Sequence, residues 1–384
     1  MPSIISSPRN YQEDAAAFLI SQQSALLHAD MGMGKSLSSI LAFLHLLDAL
    51  PNSHCLVITP KPVAKNFLAD IKKHFKGFST HLHLGPNRNH NFTTPHITIS
   101  TYDLLHELSS HNFNCCILDE AHLLRNPKAL RHKRTLNLVD NIDFIWALSG
   151  TPLVNSFKDI HALQNLLGIT DIHSHTLRLH KAMHLPDLPP IHSHLYQLDA
   201  PHLSTLKLKL KDPGCILPKI TNLRKLSASL PQKLQLVKDI HSANPTHNIL
   251  VFSNFKDGLL TLNHDLGDCT LLATGDLSLA QRCANIHTYQ SNSGKILLAT
   301  YQALGLGVNL TNTHHIILLD PAWNHANHQQ AVDRAHRLGL LHPLHLHIPF
   351  SPHSLDTWLE NLIKHKKSLA DGLIEARPSL QTFI

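Results

Sequence analysis

The sequence predicts an α/β protein with two parallel-sheet units in tandem, and three observations carry that expectation. Short apolar runs closed by polar residues alternate with helical stretches twice, once in the first 168 residues and again from Pro231 to about residue 350. A glycine-bearing loop, placed between an apolar run and a long helical segment, opens the first series. At 384 residues the chain also exceeds the roughly 250–300 that one hydrophobic core serves.

Composition narrows the setting. Hydrophobic residues make up 43%, enough for two cores, and six cysteines lie scattered without a C-x-x-C pair, Cys115 and Cys116 inside an apolar run. They read as reduced core residues of an intracellular protein. The start, MPSIISSPRN, has neither a basic nor an apolar leader region, and the longest apolar segment is interrupted by His45 and Asp48, so secretion and membrane spanning are not expected. A net charge of +6 favours a polyanionic partner. The 34 histidines are dispersed, some alternating with leucine as in His81-Leu-His83-Leu, which reads as compositional drift more readily than as a metal site. Their protonation predicts stronger polyanion binding and lower stability toward pH ~5.

The loop Asp30-Met31-Gly32-Met33-Gly34-Lys35-Ser36 follows the apolar run Ala25–Leu27 and precedes the helical stretch 37–50. Such a loop turns several backbone N–H groups and a helix N-terminus toward one point and so cradles phosphate. Lys35 would reach the β- and γ-phosphates and Ser36 would hold magnesium. Ala29 stands where the full pattern has its first glycine, so an ordinary strand-to-helix turn is the alternative. Upstream, Gln12 carries a donor and an acceptor that can pair with the N6 and N7 edge of adenine, or can simply face water.

Strands are expected at Cys55–Thr59, His96–Ser100, Cys115–Asp119 and Phe144–Leu148, and function at their C-terminal ends. There stand Thr59-Pro60-Lys61, Ser100-Thr101-Tyr102, Asp119-Glu120-Ala121-His122 and Ser149-Gly150-Thr151-Pro152. Two adjacent carboxylates at a strand mouth are costly to bury without a cation. Beside the loop, Asp119 would hold magnesium and Glu120 would orient and deprotonate the attacking water; the alternative is a pair capping the next helix. The basic run RNPKALRHKRT follows, either a solvated face or a phosphate contact. The second series places strands at Ile249–Ser253, Thr270–Ala273, Ile296–Thr300, Ile316–Leu319 and Leu344–Ile348, while residues 169–230 read as irregular.

DMGMGKS, DEAH, LSGTPLVNS and QAVDRAHRLG together resemble motifs I, II, III and VI of superfamily-two helicase-like ATPases, specifically the Swi/Snf-type double-stranded DNA translocases. The resemblance implies two RecA-like lobes at 1–168 and 231–350, a helical bridging segment at 169–230 with reduced protrusions, and a C-terminal brace helix at 351–384. It implies ATP and magnesium as cofactors, held by Arg9, Gln12, the loop 30–36 and Gly307. It also implies Arg334 and Arg337 as arginine fingers, expected three apart on one helix face, for which surface salt bridges are the alternative. DNA contacts carried over the same way are Lys61, Lys65, Thr101, Arg125, Asn126, Asn309, Thr311, Trp323 and Asn324. Leu304 and Leu340 depart from the pattern, replacing a Gly and a Gln.

The expected activity is DNA-stimulated ATP hydrolysis by a bare, monomeric DNA translocase directed by an unidentified targeting protein. It would work in the nucleus of a eukaryote or the cytoplasm of a bacterium, phage-infected cell or cytoplasmic virus; the short length is similar to viral or phage members. An RNA or single-strand helicase and a catalytically weak nucleic-acid-binding scaffold are the two rivals.

Overall fold

The computed structural model describes residues 2–85, 88, 96–108, 110–150, 157–198, 216–304, 308–320 and 325–350. These divide into two compact units, one ending at Pro186 and the other beginning at Asp187. Among them no helix is long and apolar enough to cross a membrane.

In the first unit the elements run β1 (Ser3–Ile4), α1 (Asn10–Gln22), β2 (Ser24–Ala29), α2 (Lys35–Ala49), β3 (Cys55–Ile58), α3 (Ala64–His74), β4 (Phe75–Lys76), β5 (Thr80–Leu82), β6 (Ile97–Ser100), β7 (Cys115–Leu118), α4 (Leu130–Val139), β8 (Phe144–Ser149), α5 (Phe157–Leu167), β9 (Thr176–Leu179) and α6 (Lys181–His184). Seven strands form one sheet in the order β5-β6-β3-β7-β8-β2-β9, and every neighbouring pair is parallel. All four residues of β3, of β6 and of β7 are buried. That is why these strands read as unbroken apolar runs: helices cover both faces of a parallel sheet, leaving no polar side. On one face Leu56, Ile58, Cys116, Leu118 and Ala147 pack with Leu163 and Leu166 of α5. Truncating one of them, Leu118→Ala, would cost about 2–5 kcal/mol in lost transfer energy and cavity.

The second unit runs β10 (Ile191–Gln197), α7 (Ile216–Ala228), α8 (Pro231–Ala243), β11 (Ile249–Ser253), α9 (Lys256–Leu266), β12 (Thr270–Ala273), α10 (Leu279–Ser291), β13 (Ile296–Thr300), β14 (His315–Leu318), α11 (His325–Val332) and β15 (Leu344–Phe350). Its sheet, β10-β15-β14-β11-β13-β12, is again parallel throughout. The period-two geometry of a strand splits β11 cleanly. Ile249 and Val251 face α8 and α9, through Leu234, Val237, Leu259 and Leu262, while Leu250 and Phe252 face Tyr289, Ala331 and Val332. Local signals agree with these boundaries. Pro231 begins α8, where its missing N–H has no intrahelical partner to lose. Ser278 and Gln281 close a reciprocal capping box on α10, an arrangement that contributes about 1 kcal/mol.

The segment 169–230, expected to be irregular, supplies an edge strand to each sheet. β9 pairs with β2, and β10 pairs with β15. Neither is an apolar run, because an edge strand is half exposed and tolerates Arg178 in one and three polar residues plus histidines in the other. The Pro-rich stretch Leu185–Pro190 lies between them. The expected brace helix at 351–384 lies outside the described residues.

Histidines that alternate in sequence gather in space. The registers His192↔His345 and His194↔His347 place four of them on adjacent strands, and His315 pairs opposite His345. A hydrogen-bonded chain runs from His247 through His315 (2.9 Å) to His347 (3.0 Å) and on to the Tyr196 hydroxyl (2.9 Å). His314 stacks on His342 at 3.8 Å and on His247 at 4.3 Å. Among the described residues no three such side chains converge as a metal site.

Candidate nucleotide-binding site

The site in the first unit forms where β2, β3, β7 and β8 end together. After β2 the loop 30–34 turns into α2, and Gly32 and Gly34 take φ of 83° and 78°, a region that glycine enters without the penalty other residues meet. At Gly34 a Cβ would also collide with Nε2 of Gln12. Gln12, only 6% exposed, donates from Nε2 to the Met33 carbonyl (3.2 Å) and accepts at Oε1 from the Arg9 amide (3.0 Å). Its amide therefore fastens α1 to the loop, in addition to any adenine edge it could read. Arg9 itself is exposed, Met31 is half-buried and Met33 is buried beneath the loop.

Lys35 folds back over this loop, its Nζ 2.9 Å from the Ala29 carbonyl and 3.4 Å from that of Asp30. Backbone carbonyls thus hold the ammonium group, as anionic oxygens of a phosphate would. Gly150, just beyond β8, closes over the same point, where a Cβ would stand 2.8 Å from Lys35 Nζ. Ser36 is half-buried in the first turn of α2. Asp30 points its carboxylate elsewhere, accepting from the Lys181 amide at 2.9 Å.

β7 delivers the acid pair. Asp119 is 7% exposed and Glu120 is 5% exposed. Burial first, and the neighbouring Glu120 charge second, push the Asp119 carboxyl up to about 7, against the Thr59 hydrogen bond and the Lys35 charge, which favour its ionised form. Thr59 Oγ1 donates to Asp119 Oδ2 at 2.8 Å, and the Glu120 amide donates to Oδ1 at 3.1 Å. The buried Tyr102 hydroxyl donates to the Asp119 carbonyl at 2.6 Å. Glu120 adopts φ 52°, ψ 48°, a left-handed conformation costing about 1–2 kcal/mol for a residue with a Cβ. Its Oε2 lies 3.2 Å from His122 Nδ1. A strained carboxylate beside a second, reluctantly ionised one is a pair that a divalent cation would relieve, and with Lys35 opposite, the residues present fit magnesium and a triphosphate.

The nucleic-acid candidates of the first unit follow the same strand ends. Lys61, Lys65 and Asn126 are exposed and Arg125 is half-buried, whereas Thr101 is 3% exposed and turned inward. In the second unit Asn309 is exposed and Thr311 half-buried, while Gly307, Trp323 and Asn324 lie outside the described residues. Arg334 and Arg337 do not share a helix. α11 ends at Val332, and the chain tightens into turns in which the Arg334 amide bonds back to Ala331, three residues earlier. Arg334 is 6% exposed, and its carbonyl accepts from Leu310; Arg337 reaches the Val308 carbonyl at 3.5 Å. These bonds tie the expected arginine pair to the preceding loop segment.

Sequence reasoning singled out Lys35, Asp119 and Glu120 but passed over Thr59 and Tyr102 as partners of the acid pair. The only signal was positional: each follows a strand of the same sheet, and the register Ile58↔Leu118 sets Thr59 beside Asp119.

A glycine-turned phosphate loop, its lysine, and a buried acid pair two strands away in the same sheet define a P-loop ATPase fold, here in a chain with a second parallel-sheet unit. Residues 11–242 match the SNF2-related domain and residues 232–339 match the helicase conserved C-terminal domain, and the chain belongs to the SNF2-related family of helicase-like ATPases. YwqA of Bacillus subtilis is 23% identical over 98% of this chain, which spans 50% of its length. A protein of Orgyia pseudotsugata multicapsid polyhedrosis virus is 22% identical over 82% of the chain and 79% of its own. The Sulfolobus solfataricus SWI2/SNF2 ATPase core in complex with dsDNA aligns over 97% of this chain and 94% of its own, at 21% identity and a TM-score of 0.47.

Proposed function

We propose that this chain is an ATP-dependent double-stranded DNA translocase whose ATPase is stimulated by duplex DNA. The observation that carries the reading is the buried Asp119–Glu120 pair beside Lys35, a charge arrangement with no structural benefit of its own. Lys35 would exchange the Ala29 and Asp30 carbonyls for phosphate oxygens, and Gln12 would meet adenine. Ser36 and Asp119 would hold magnesium, which neutralises charge developing on the phosphates. Glu120 takes the proton of the attacking water. Arg334 and Arg337 of the second unit would complete the site against the γ-phosphate, a role worth on the order of 10³–10⁵ in kcat.

Duplex DNA would be held by Lys61, Lys65, Thr101, Arg125 and Asn126, and by Asn309, Thr311, Trp323 and Asn324. The exposed Lys61, in the loop after β3, and Lys65, in the first turn of α3, support phosphate contact. Thr101 contributes through its backbone or after a local shift, since its side chain is buried. Recruitment would come from a separate targeting protein, with the chain itself acting as a monomer inside the cell.

Phosphate release measured with duplex DNA, single-stranded DNA and RNA tests the reading. Duplex should stimulate most, and Lys35→Ala and Glu120→Gln should abolish turnover. Stimulation by RNA or single strands, with strand separation, would favour the helicase rival. Nucleic-acid binding without turnover would favour the scaffold.

A further inference from the structure

We propose that Asp30 is a positioning residue that couples the phosphate loop to the segment through which the chain leaves the first unit. The inference rests on the ATPase reading above and adds a residue role to it. Four hydrogen bonds meet at this one residue. Its amide donates to the Leu179 carbonyl at 3.0 Å, at the end of β9. Its carboxylate Oδ2 accepts from the Lys181 amide at 2.9 Å, with His180 Nδ1 3.8 Å away. Its carbonyl accepts from the Met33 amide at 3.3 Å and from Lys35 Nζ at 3.4 Å.

The lysine that must reach phosphate and the turn that starts α6 are therefore joined through a single backbone unit. α6 ends at His184, whose ring packs on Tyr11 of α1 at 5.1 Å, and the first unit ends at Pro186. When Lys35 moves from the loop carbonyls to a phosphate, the carbonyl of Asp30 loses its cation. The loop then resets, and the carboxylate that holds the Lys181 amide resets with it. The Asp30 carboxylate is already engaged by the Lys181 amide, so its part in this arrangement is to position the loop. Because a backbone N–H is the partner, an acceptor oxygen suffices and the negative charge is dispensable.

Amide exchange and kinetics on the full chain separate this role from others. Binding of a non-hydrolysable ATP analogue with magnesium should slow exchange of the Lys181 amide about fivefold or more. Asp30→Ala should abolish that response and lower kcat about tenfold or more while KM for ATP stays within about threefold, and Asp30→Asn should restore both. The second route removes the donor: Lys181→Pro, tolerated at a first helical position, should reproduce the Asp30→Ala defect, whereas Lys181→Ala, which keeps the amide, should not reproduce the lost analogue response. An unchanged Lys181 amide in a wild-type protein that hydrolyses ATP would overturn the coupling and leave the ATPase reading standing. So would an Asp30→Asn variant as impaired as Asp30→Ala. A wild-type protein that neither binds the analogue nor hydrolyses ATP would instead bring down the functional reading, and this role with it.

Discussion

Oγ1 of Thr59 stands 2.8 Å from Oδ2 of Asp119, joining the mouths of two neighbouring strands from positions 60 residues apart. The bond favours the ionised carboxylate against burial and the adjacent Glu120. Hydrogen bonds to charged groups contribute about 1.5–3 kcal/mol. Thr59→Val keeps the shape and removes the donor, so kcat/KM for ATP should fall about tenfold to a hundredfold, and Thr59→Ser should recover most of it. Equal kinetics for valine and serine variants would show that the hydroxyl does not hold Asp119.

Gly150 tests how closely the end of β8 packs on the phosphate loop. A methyl group there would lie 2.8 Å from Lys35 Nζ and 2.5 Å from Met31 Sδ, both ends of flexible side chains that can yield. Gly150→Ala should therefore change stability by no more than about 1 kcal/mol, yet displace the lysine and raise KM for ATP about tenfold. Thermal melting and steady-state kinetics on the same preparation read both quantities. A large loss of stability with unchanged KM would place the crowding elsewhere.

Much of this architecture was legible because buried parallel strands leave an unmistakable trace. CLVI, CCIL and ILVFS each form a strand at or within one residue of the expected boundary. The strands that escaped notice, β1, β4, β5, β9 and β10, are short or lie at edges, where one face meets water and no apolar run is required. The acid pair and Lys35 were readable from residue type and spacing alone. Thr59 and Tyr102 were not, since their roles exist only once β6, β3 and β7 lie side by side. The expected helix carrying Arg334 and Arg337 failed for a local reason: a spacing of three fits tightened turns as well as an α-helix, and the sequence between them does not distinguish the two.

Leu304 and Leu340, the two departures that favoured a scaffold, are 3% and 4% exposed and belong to the core of the second unit. They are packing residues in this chain, not vacated ligands. Leu340→Gln would bury an amide among apolar neighbours and should cost about 1–3 kcal/mol in urea unfolding, without raising ATP turnover. A glutamine variant that gains severalfold in turnover at unchanged stability would return Leu340 to the functional site.

The imidazole network makes the second unit acid-sensitive, and the sign follows from its burial. His315 is pushed down to about 3, and His314 and His347 to about 4, by burial first and neighbouring imidazoles second. The unfolded chain, with ordinary histidines near 6.5, takes up protons in a range where the folded chain refuses them. Stability is therefore complete above about pH 6.5 and falls as pH drops toward 4, by about 2 kcal/mol at pH 5 for one such histidine; mutual repulsion makes the sum over neighbours smaller than the parts. His28 in the first unit is likewise pushed down to about 3, by burial first and the Arg178 and Lys35 charges next. Hydrogen exchange followed from pH 7.5 to 5, corrected for intrinsic rates, should show β14 and β15 losing protection before β3 and β7. The burial that depresses these groups also limits how much positive charge the folded protein can gain on acidification, so heparin retention should rise sharply only where that protection is lost. Loss of protection in both units at the same pH would show that the network is not what acid attacks first.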